Sequence, residues 1–155
     1  RRAWRPTYSR MDVLLDSPTQ PMRPEGYRHQ ITRMHLALES MEKGSAPTAD
    51  DWRLLADAYN LVEQLTLMGL AHDAGLLPVT QREIALAGAR HVDEGKPLRL
   101  SGAGIAACRE LLATWQQALA ELPARDIVSA HAQTERRMHR LYIDPRVSSQ
   151  RVAVA

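Results

Sequence analysis

Apolar residues recur at spacings of three and four along most of this 155-residue chain. Such spacing places side chains on one face of a helix and therefore predicts α-helices. The first stripe consists of Tyr27, Ile31, Met34, Leu38 and Met41. It predicts a helix over 27–43, and Gly44 follows at a position where glycine commonly ends a helix.

The second predicted helix, about 50–68, is apolar around most of its circumference. Thr48 precedes Asp51 by three residues, which is typical of the capping box that begins a helix. The narrow polar line along this helix is formed by Arg53, Asp57, Asn60 and Gln64. A helix with so little polar surface is expected to lie at the centre of the domain.

The third predicted helix spans about 79–94 and ends near Gly95. Its inward-facing residues are predicted to be Ile84, Ala87 and His91. The short segment 96–100 that follows is predicted to be a loop. Ser101 is then a credible N-cap for the next helix, because its hydroxyl can accept a hydrogen bond from a backbone amide of the first turn.

Two helices complete the predicted domain. The fourth carries a stripe of Ile105, Cys108, Leu112, Trp115, Leu119 and Leu122. Pro123 interrupts the pattern, and the last helix is predicted over about 124–142. Its inward-facing residues are predicted to be Ile127, Ala130, Thr134, Met138 and Leu141.

The amino-acid composition supports an all-helical fold. The chain contains 22 Ala and 20 Leu but only five Ile, eight Val and no Phe, which favours helix over strand. The predicted fold class is therefore all-α, a compact bundle of about five helices over residues 25–142. Prolines and arginines predict an extended N-terminal arm over 1–24, and residues 143–155 are expected to form a disordered tail.

The charge of the chain is distributed in three blocks, although the formal net charge is only +2. Residues 1–35 carry seven Arg and three acids, residues 36–124 seven basic residues and twelve acids, and residues 125–155 six Arg and three acids. The blocks therefore have charges of +4, −5 and +3. Two basic ends on an acidic body indicate a docking surface for an acidic partner.

The main candidates for partner binding are arginines. The arm combines four arginines with two aromatic residues, in the order Arg1, Arg2, Trp4, Arg5, Tyr8 and Arg10. Guanidinium groups bind phosphate or carboxylate, and the rings can stack on bases or fill pockets, so we expect contact with a protein or nucleic acid. A passive or self-docking tail is the alternative. A second candidate cluster, Arg136, Arg137 and Arg140, also complements the dipole at the end of the last helix.

No residue pattern indicates a catalytic site, a cofactor or a metal site. Three pairs lie one helical turn apart, namely His35 with Glu39, His131 with Glu135, and Glu135 with His139. We expect them to be solvated pairs on helix faces. Cys108 is expected to be a small buried hydrophobe. The segment 101–104, Ser-Gly-Ala-Gly, lacks the lysine of a phosphate-binding loop, so an ordinary N-cap is the better interpretation.

The cellular setting is predicted from the cysteine count and from the lengths of the apolar runs. A single cysteine cannot form an internal disulfide, which favours a reducing, cytoplasmic location. The longest apolar runs contain a few residues, far fewer than the roughly 20 that span a bilayer. No signal peptide is expected, because no apolar segment follows the first arginines.

Three segments share a similarity with a known group of proteins. They are Trp4-Arg5-Pro6, the helix start Asp51-Trp52 followed by Leu54-Leu55 and Asn60, and Leu98-Arg99-Leu100-Ser101-Gly102. Together they resemble small helical accessory proteins of prophages and plasmids of Gram-negative bacteria. The resemblance implies a mobile-element context, in which small inhibitors and regulators of host complexes are common, and it brings no catalytic residue. The proline-rich segment 17–24 departs from that pattern.

These observations lead to three functional hypotheses. The first is a non-enzymatic helical interaction protein that docks on a host macromolecular complex as an inhibitor or regulator, for example an anti-defence protein. The second is direct nucleic-acid binding through the arginine-rich ends, which ranks lower because the middle of the chain is acidic and has no recognition motif. The third is a helical enzyme or metal protein. A homodimer stays open beside a monomeric bundle, because Leu- and Ala-rich helices readily offer a spare apolar face.

Overall fold

The computed structural model describes residues 18–73 and 75–143, which form five α-helices and no strand beyond an isolated bridge. The helices are α1 (Pro24–Lys43), α2 (Ala49–Leu67), α3 (Leu76–Glu94), α4 (Gly102–Glu121) and α5 (Ala124–Ile143). The predicted all-α bundle is therefore confirmed. Most of the predicted arm and nearly all of the predicted tail lie outside the described residues.

Local hydrogen bonds account for the starts of α2 and α4. At α2, the Asp51 amide donates to Thr48 Oγ1 at 3.2 Å, and the Thr48 amide donates back to Asp51 Oδ2 at 2.8 Å. At α4, the Gly104 amide donates to Ser101 Oγ at 3.0 Å. Both predicted caps are confirmed, because these side chains accept from amides that have no carbonyl partner within the helix.

Two helices begin three residues earlier than predicted, at Pro24 and at Leu76. In each case the first turn contains a proline, which in the sequence pattern indicates a helix boundary. The first turn tolerates proline because its amides have no helical acceptor to lose. At the start of α3, Gly75 has φ of +86°, a left-handed conformation that glycine adopts without strain.

The helix α2 lies at the centre of the bundle, as predicted, and packs against each of the other four helices. The fully buried core includes Trp115, Met34, Met41, Leu55, Leu61, Leu65, Leu111 and Leu112. The loop predicted over 96–100 is also confirmed. It lies against the bundle through the buried side chains of Leu98 and Leu100, while the Arg99 guanidinium donates to the carbonyl of Gly44.

The described end of the arm is held against the start of α5. The Ala124 amide donates to the Gln20 carbonyl at 2.8 Å, and the Arg125 amide donates to the Pro18 carbonyl at 3.1 Å. Pro21 and Pro123, which adjoin the Gln20–Ala124 contact, form an isolated antiparallel bridge. The first amides of α5 thus obtain acceptors from a segment about a hundred residues away in sequence, which secures both the helix start and the last residues of the arm.

Candidate functional site

The predicted arginine cluster at the end of the chain is divided between two faces of α5. Arg136 and Arg140 are exposed. Arg137 instead faces α2, and only 12% of its side chain is exposed. The three arginines therefore do not form one binding patch, although they lie within five residues of one another.

Arg137 contacts α2 through two interactions. Its Nη2 lies 2.9 Å from Glu63 Oε2 and donates to the Asn60 carbonyl at 3.1 Å. Glu63 is itself 22% exposed, so this ion pair lies largely inside the protein. We conclude that Arg137 joins α5 to α2 within the chain, and that its guanidinium is not part of the exposed basic surface.

The Arg137 contacts belong to a polar seam, which we define as Asn60, Glu63 and Gln64 of α2 with Gln133 and Arg137 of α5. Gln64 Nε2 donates to Gln133 Oε1 at 3.1 Å, and Gln64 is 6% exposed. The prediction placed Asn60 and Gln64 on a polar line of α2, and α5 covers the part of that line which these two residues form. The buried Gln64 amide therefore finds a partner on the covering helix, which offsets its loss of contact with water.

The outer face of α5 carries exposed basic residues. Arg125, Arg136, His139 and Arg140 all lie on it. Arg136 Nε donates to the Ala132 carbonyl one turn earlier at 3.3 Å, and neither Arg136 nor Arg140 forms an ion pair with another described residue. Their Cα atoms are about 6 Å apart along the helix axis, so both side chains can contact one acidic surface.

Most of the predicted arm lies outside the described residues. The partner-binding prediction for Arg1, Arg2, Trp4, Arg5, Tyr8 and Arg10 therefore stays a prediction. What the structure describes is where the arm joins the bundle, since the Pro18 carbonyl accepts from the Arg125 amide in the first turn of α5. The arm and the outer face of α5 consequently start from the same place on the domain.

His131 is buried, so the prediction of a solvated His131/Glu135 pair is wrong. Its ring is 2% exposed and meets the Trp115 ring edge-on, with 5.6 Å between centroids and an angle of 75°. Burial lowers the pKa of His131 to about 3, which keeps the ring neutral at physiological pH. The error arose because α5 is rotated so that Ile127, Ala130 and His131 together face the bundle.

Two other histidines, His91 and His35, form hydrogen bonds near the surface. His91 is exposed, so the prediction that it faces inward is wrong, and its Nδ1 lies 2.8 Å from the Lys96 carbonyl just beyond the end of α3. His35 Nε2 lies 3.4 Å from Gln116 Oε1, across the groove between α1 and α4. Neither histidine lies beside two further metal-ligating side chains, and no group of three occurs in the described ranges.

Cys108 is fully buried, which confirms its interpretation as a small buried hydrophobe. Burial, with a smaller contribution from the negative charge of Glu83, raises the pKa of the Cys108 thiol to about 12. The thiol is therefore protonated and shielded at neutral pH. A thiolate is the reactive form of cysteine, so Cys108 is not poised as a nucleophile.

Sequence reasoning missed Glu83, which lies beside the start of α4. Its side chain is buried, and its Oε2 accepts from Ser101 Oγ at 2.6 Å. The carboxylate thus lies next to the N-terminus of α4, where the helix dipole favours negative charge. The spacing of residues in α3 could have indicated its burial, because Glu83 lies three residues after Thr80 and four before Ala87, and both of these face inward.

An open groove of about 470 Å³ lies between α1 and α4. It is lined by His35, Leu38, Glu39, Glu42, Lys43, Arg109, Ala113 and Gln116. Arg109 Nη2 donates to both carboxylate oxygens of Glu42 at 2.8 Å, so these two charged groups of the groove neutralise each other. The groove offers no convergent set of acid, base and nucleophile.

Comparisons with protein-family models, with curated proteins and with solved structures find no match for this chain. Within the described segments, no helix combines the length and the apolar character needed to cross a bilayer. The exposed arginines of α5, with the arm that joins the domain beside them, are therefore the principal candidate site.

Proposed function

We propose that this chain is a non-enzymatic interaction protein that docks on an acidic surface of a host macromolecular complex and inhibits or regulates it. One observation carries the proposal. The arm joins the domain at Arg125, in the first turn of the helix whose outer face presents Arg136 and Arg140. Two basic elements that are separate in sequence therefore start from one point and can bind the same partner.

The dimensions of these elements suit a macromolecular partner. The 20 residues of α5 extend about 30 Å, and the 17 residues before Pro18 can reach at most about 60 Å. Arginine suits such a surface because its planar guanidinium can bind carboxylates in two places at once. Trp4 and Tyr8 add aromatic side chains, which are often the strongest contributors to binding at protein interfaces.

The biological setting we propose is that of a mobile-element accessory protein, for example an anti-defence inhibitor. This part of the proposal rests on the resemblance of the three sequence segments given above. Such an inhibitor would occupy the site at which a nucleic-acid-handling complex acts.

Affinity purification from cells of the source organism, followed by mass spectrometry, tests the proposal. We expect the natural chain to recover a consistent partner, and the double variant Arg136→Ala/Arg140→Ala to lose most of it. The matched control is Arg28→Ala/Arg33→Ala, which removes two exposed arginines from α1 and should retain the partner. Repeated failure to recover any partner, or equal recovery by both double variants, would contradict the proposal.

Direct binding to nucleic acid is the second candidate function. Arg125, Arg136 and Arg140 lie on one side of α5 over about 22 Å, a length that can follow a phosphate backbone. Titration with duplex and single-stranded nucleic acid over a salt series decides between the two candidates. Binding that weakens steeply as salt rises would favour nucleic acid, because phosphate contacts release counterions. No binding even at low salt would leave protein docking alone.

A further inference from the structure

The outer face of α3 is a second exposed surface, which the proposed function does not use. It is formed by Val79, Arg82, Leu86, Ala89 and Asp93, at spacings of three, four, three and four. Val79 is 38% exposed and Leu86 is 45% exposed, and both are among the few large hydrophobic side chains on the described surface. Alternating spacings of three and four place these side chains in a row of the kind that joins two packed helices. We call this row the α3 seam, which is distinct from the polar seam between α2 and α5.

We propose that this seam pairs with the same seam of a second copy of the chain, with the two α3 helices antiparallel about a two-fold axis. In this register Leu86 packs against Ala89 of the second copy, and Arg82 lies opposite Asp93 of the second copy. The two-fold axis repeats each contact, so the interface contains two apolar layers flanked by two ion pairs. A large residue opposite a small one fills the space between closely packed helices.

The charges on the seam favour a second copy as its occupant. Arg82 has only a distant interaction within its own chain, 3.6 Å to the adjacent Glu83, and Asp93 forms no ion pair with another described residue. Arg82 lies toward one end of the seam and Asp93 lies at the other. In an antiparallel second copy the order of these two charges is reversed, so each charge meets the opposite charge. A register with Leu86 opposite Leu86 would instead bring Arg82 near Arg90 of the second copy, which is repulsive.

The length of the seam sets the strength of the dimer. Residues 82 to 93 extend about 17 Å along α3, so the paired helices bury less than the roughly 1,200–2,000 Å² of a standard interface. We therefore expect a reversible dimer whose population depends on protein concentration. Since α3 and α5 share no contact in the described structure, the dimer leaves both α5 outer faces open. The dimer and the proposed function can consequently fail independently.

Sedimentation equilibrium of the full chain over a wide concentration series tests the dimer. We expect self-association, and we expect Leu86→Glu to raise the dimer Kd by about tenfold or more. Leu36→Glu is the matched control, because Leu36 is 58% exposed on α1, away from the seam, and should leave the Kd unchanged. A chain that stays monomeric throughout the series, or a dimer that tolerates Leu86→Glu, overturns the proposal.

A charge exchange tests the register without altering an apolar residue. Arg82→Glu and Asp93→Arg should each weaken the dimer, because each places like charges opposite one another. The double variant Arg82→Glu/Asp93→Arg should restore the Kd, since it rebuilds both ion pairs in reverse. Failure of the double variant to recover overturns the register. Circular dichroism of each variant reports whether Leu86→Glu lowers folding stability. If it does, the charge exchange still tests whether the dimer forms through this seam.

Discussion

Helices are joined in two chemically different ways in this protein. The helices α1 to α4 pack through fully buried apolar side chains such as Trp115, Leu55 and Met34. The helix α5 adds apolar contacts of its own through Ile127 and Ala130, but much of its contact with α2 is the polar seam. Apolar packing contributes stability with little directional preference, whereas each hydrogen bond in the polar seam requires one particular partner at one particular distance.

This difference has a consequence for function. The polar seam allows one rotation of α5 on α2, because Gln133 must reach Gln64 while Arg137 reaches Glu63. That rotation turns Arg136 and Arg140 outward. The internal polar contacts of α5 thus orient the exposed arginines that we propose bind a partner. The comparison predicts large losses of stability from changes in the apolar core, and smaller, more specific effects from changes in the polar seam.

The largest effect is expected in the apolar core. Trp115→Ala removes a fully buried ring and should lower the free energy of unfolding by about 3–5 kcal/mol, through lost burial and the cavity left behind. Urea denaturation followed by circular dichroism measures the loss. The control Leu36→Ala truncates an exposed side chain and should change stability by no more than about 0.5 kcal/mol. Similar values for the two variants would remove the distinction between core and surface.

The polar seam is tested by two neighbouring arginines that differ only in the direction they face. Arg137→Ala should cost about 2–3 kcal/mol, because it leaves the largely buried Glu63 carboxylate without this partner. Arg136→Ala should cost no more than about 0.5 kcal/mol. Urea denaturation of both variants measures the difference. The double variant Glu63→Gln/Arg137→Met should recover part of the lost stability. Equal losses of stability in Arg136→Ala and Arg137→Ala would contradict the conclusion that Arg137, and not Arg136, joins α5 to α2.

The stability of the protein should depend on pH through the buried ring of His131. The folded-state pKa of His131 is about 3 against an ordinary value of 6.5, so the unfolded chain binds its proton more readily. Stability from the neutral ring is therefore present above pH 6.5 and is lost progressively as pH falls toward 3. Between pH 7 and pH 5 the natural chain should lose about 2 kcal/mol from this residue.

Replacement of His131 provides the measurement. In His131→Leu the change in unfolding free energy between pH 7 and pH 5 should shrink by about 2 kcal/mol, as followed by urea denaturation at each pH. His139→Leu is the matched control, because it replaces an exposed histidine of the same helix and keeps the buried ring of His131 in place. An identical pH dependence in the natural chain and in His131→Leu would show that the ring is not held neutral by burial.

The smallest effect is expected at the local cap of α2. Thr48→Ala removes the hydroxyl that accepts from the Asp51 amide, and it should cost about 1 kcal/mol at neutral pH. Partial burial acts to raise the pKa of Asp51, but hydrogen bonds from Thr48 and Ser40 outweigh it and hold the pKa below its ordinary value of 3.8. The contribution of Asp51 is thus present above pH 3.8 and is lost as pH falls through the folded-state pKa.

Thermal unfolding at neutral and acidic pH checks this prediction. The difference between the natural chain and Thr48→Ala should be largest at neutral pH and should narrow in acid, where Asp51 becomes protonated. Thr32→Ala, an identical change at an exposed position inside α1, should not destabilise the protein. A difference that widened in acid would reverse the sign assigned to Asp51.

The amino-acid sequence by itself determined the local structure of this protein. The spacing of apolar residues predicts all five helices, with starts and ends within about three residues of those observed, and the caps at Thr48 and Ser101 are visible as short motifs. The central position of α2 follows from its apolar circumference. These features depend on interactions within a few residues, so the order of residues along the chain suffices to specify them.

Only the tertiary structure decided which side chains are used inside the protein and which remain on its surface. Arg136 and Arg137 are adjacent and chemically identical, yet Arg137 binds a carbonyl 77 residues away, while Gln64 and Gln133 meet across 69 residues. His131 is buried for the same reason. The periodicity of one helix shows that it has an inner face, but the helix that covers this face sets its exact rotation. That choice depends on contacts between distant residues, which no local pattern encodes.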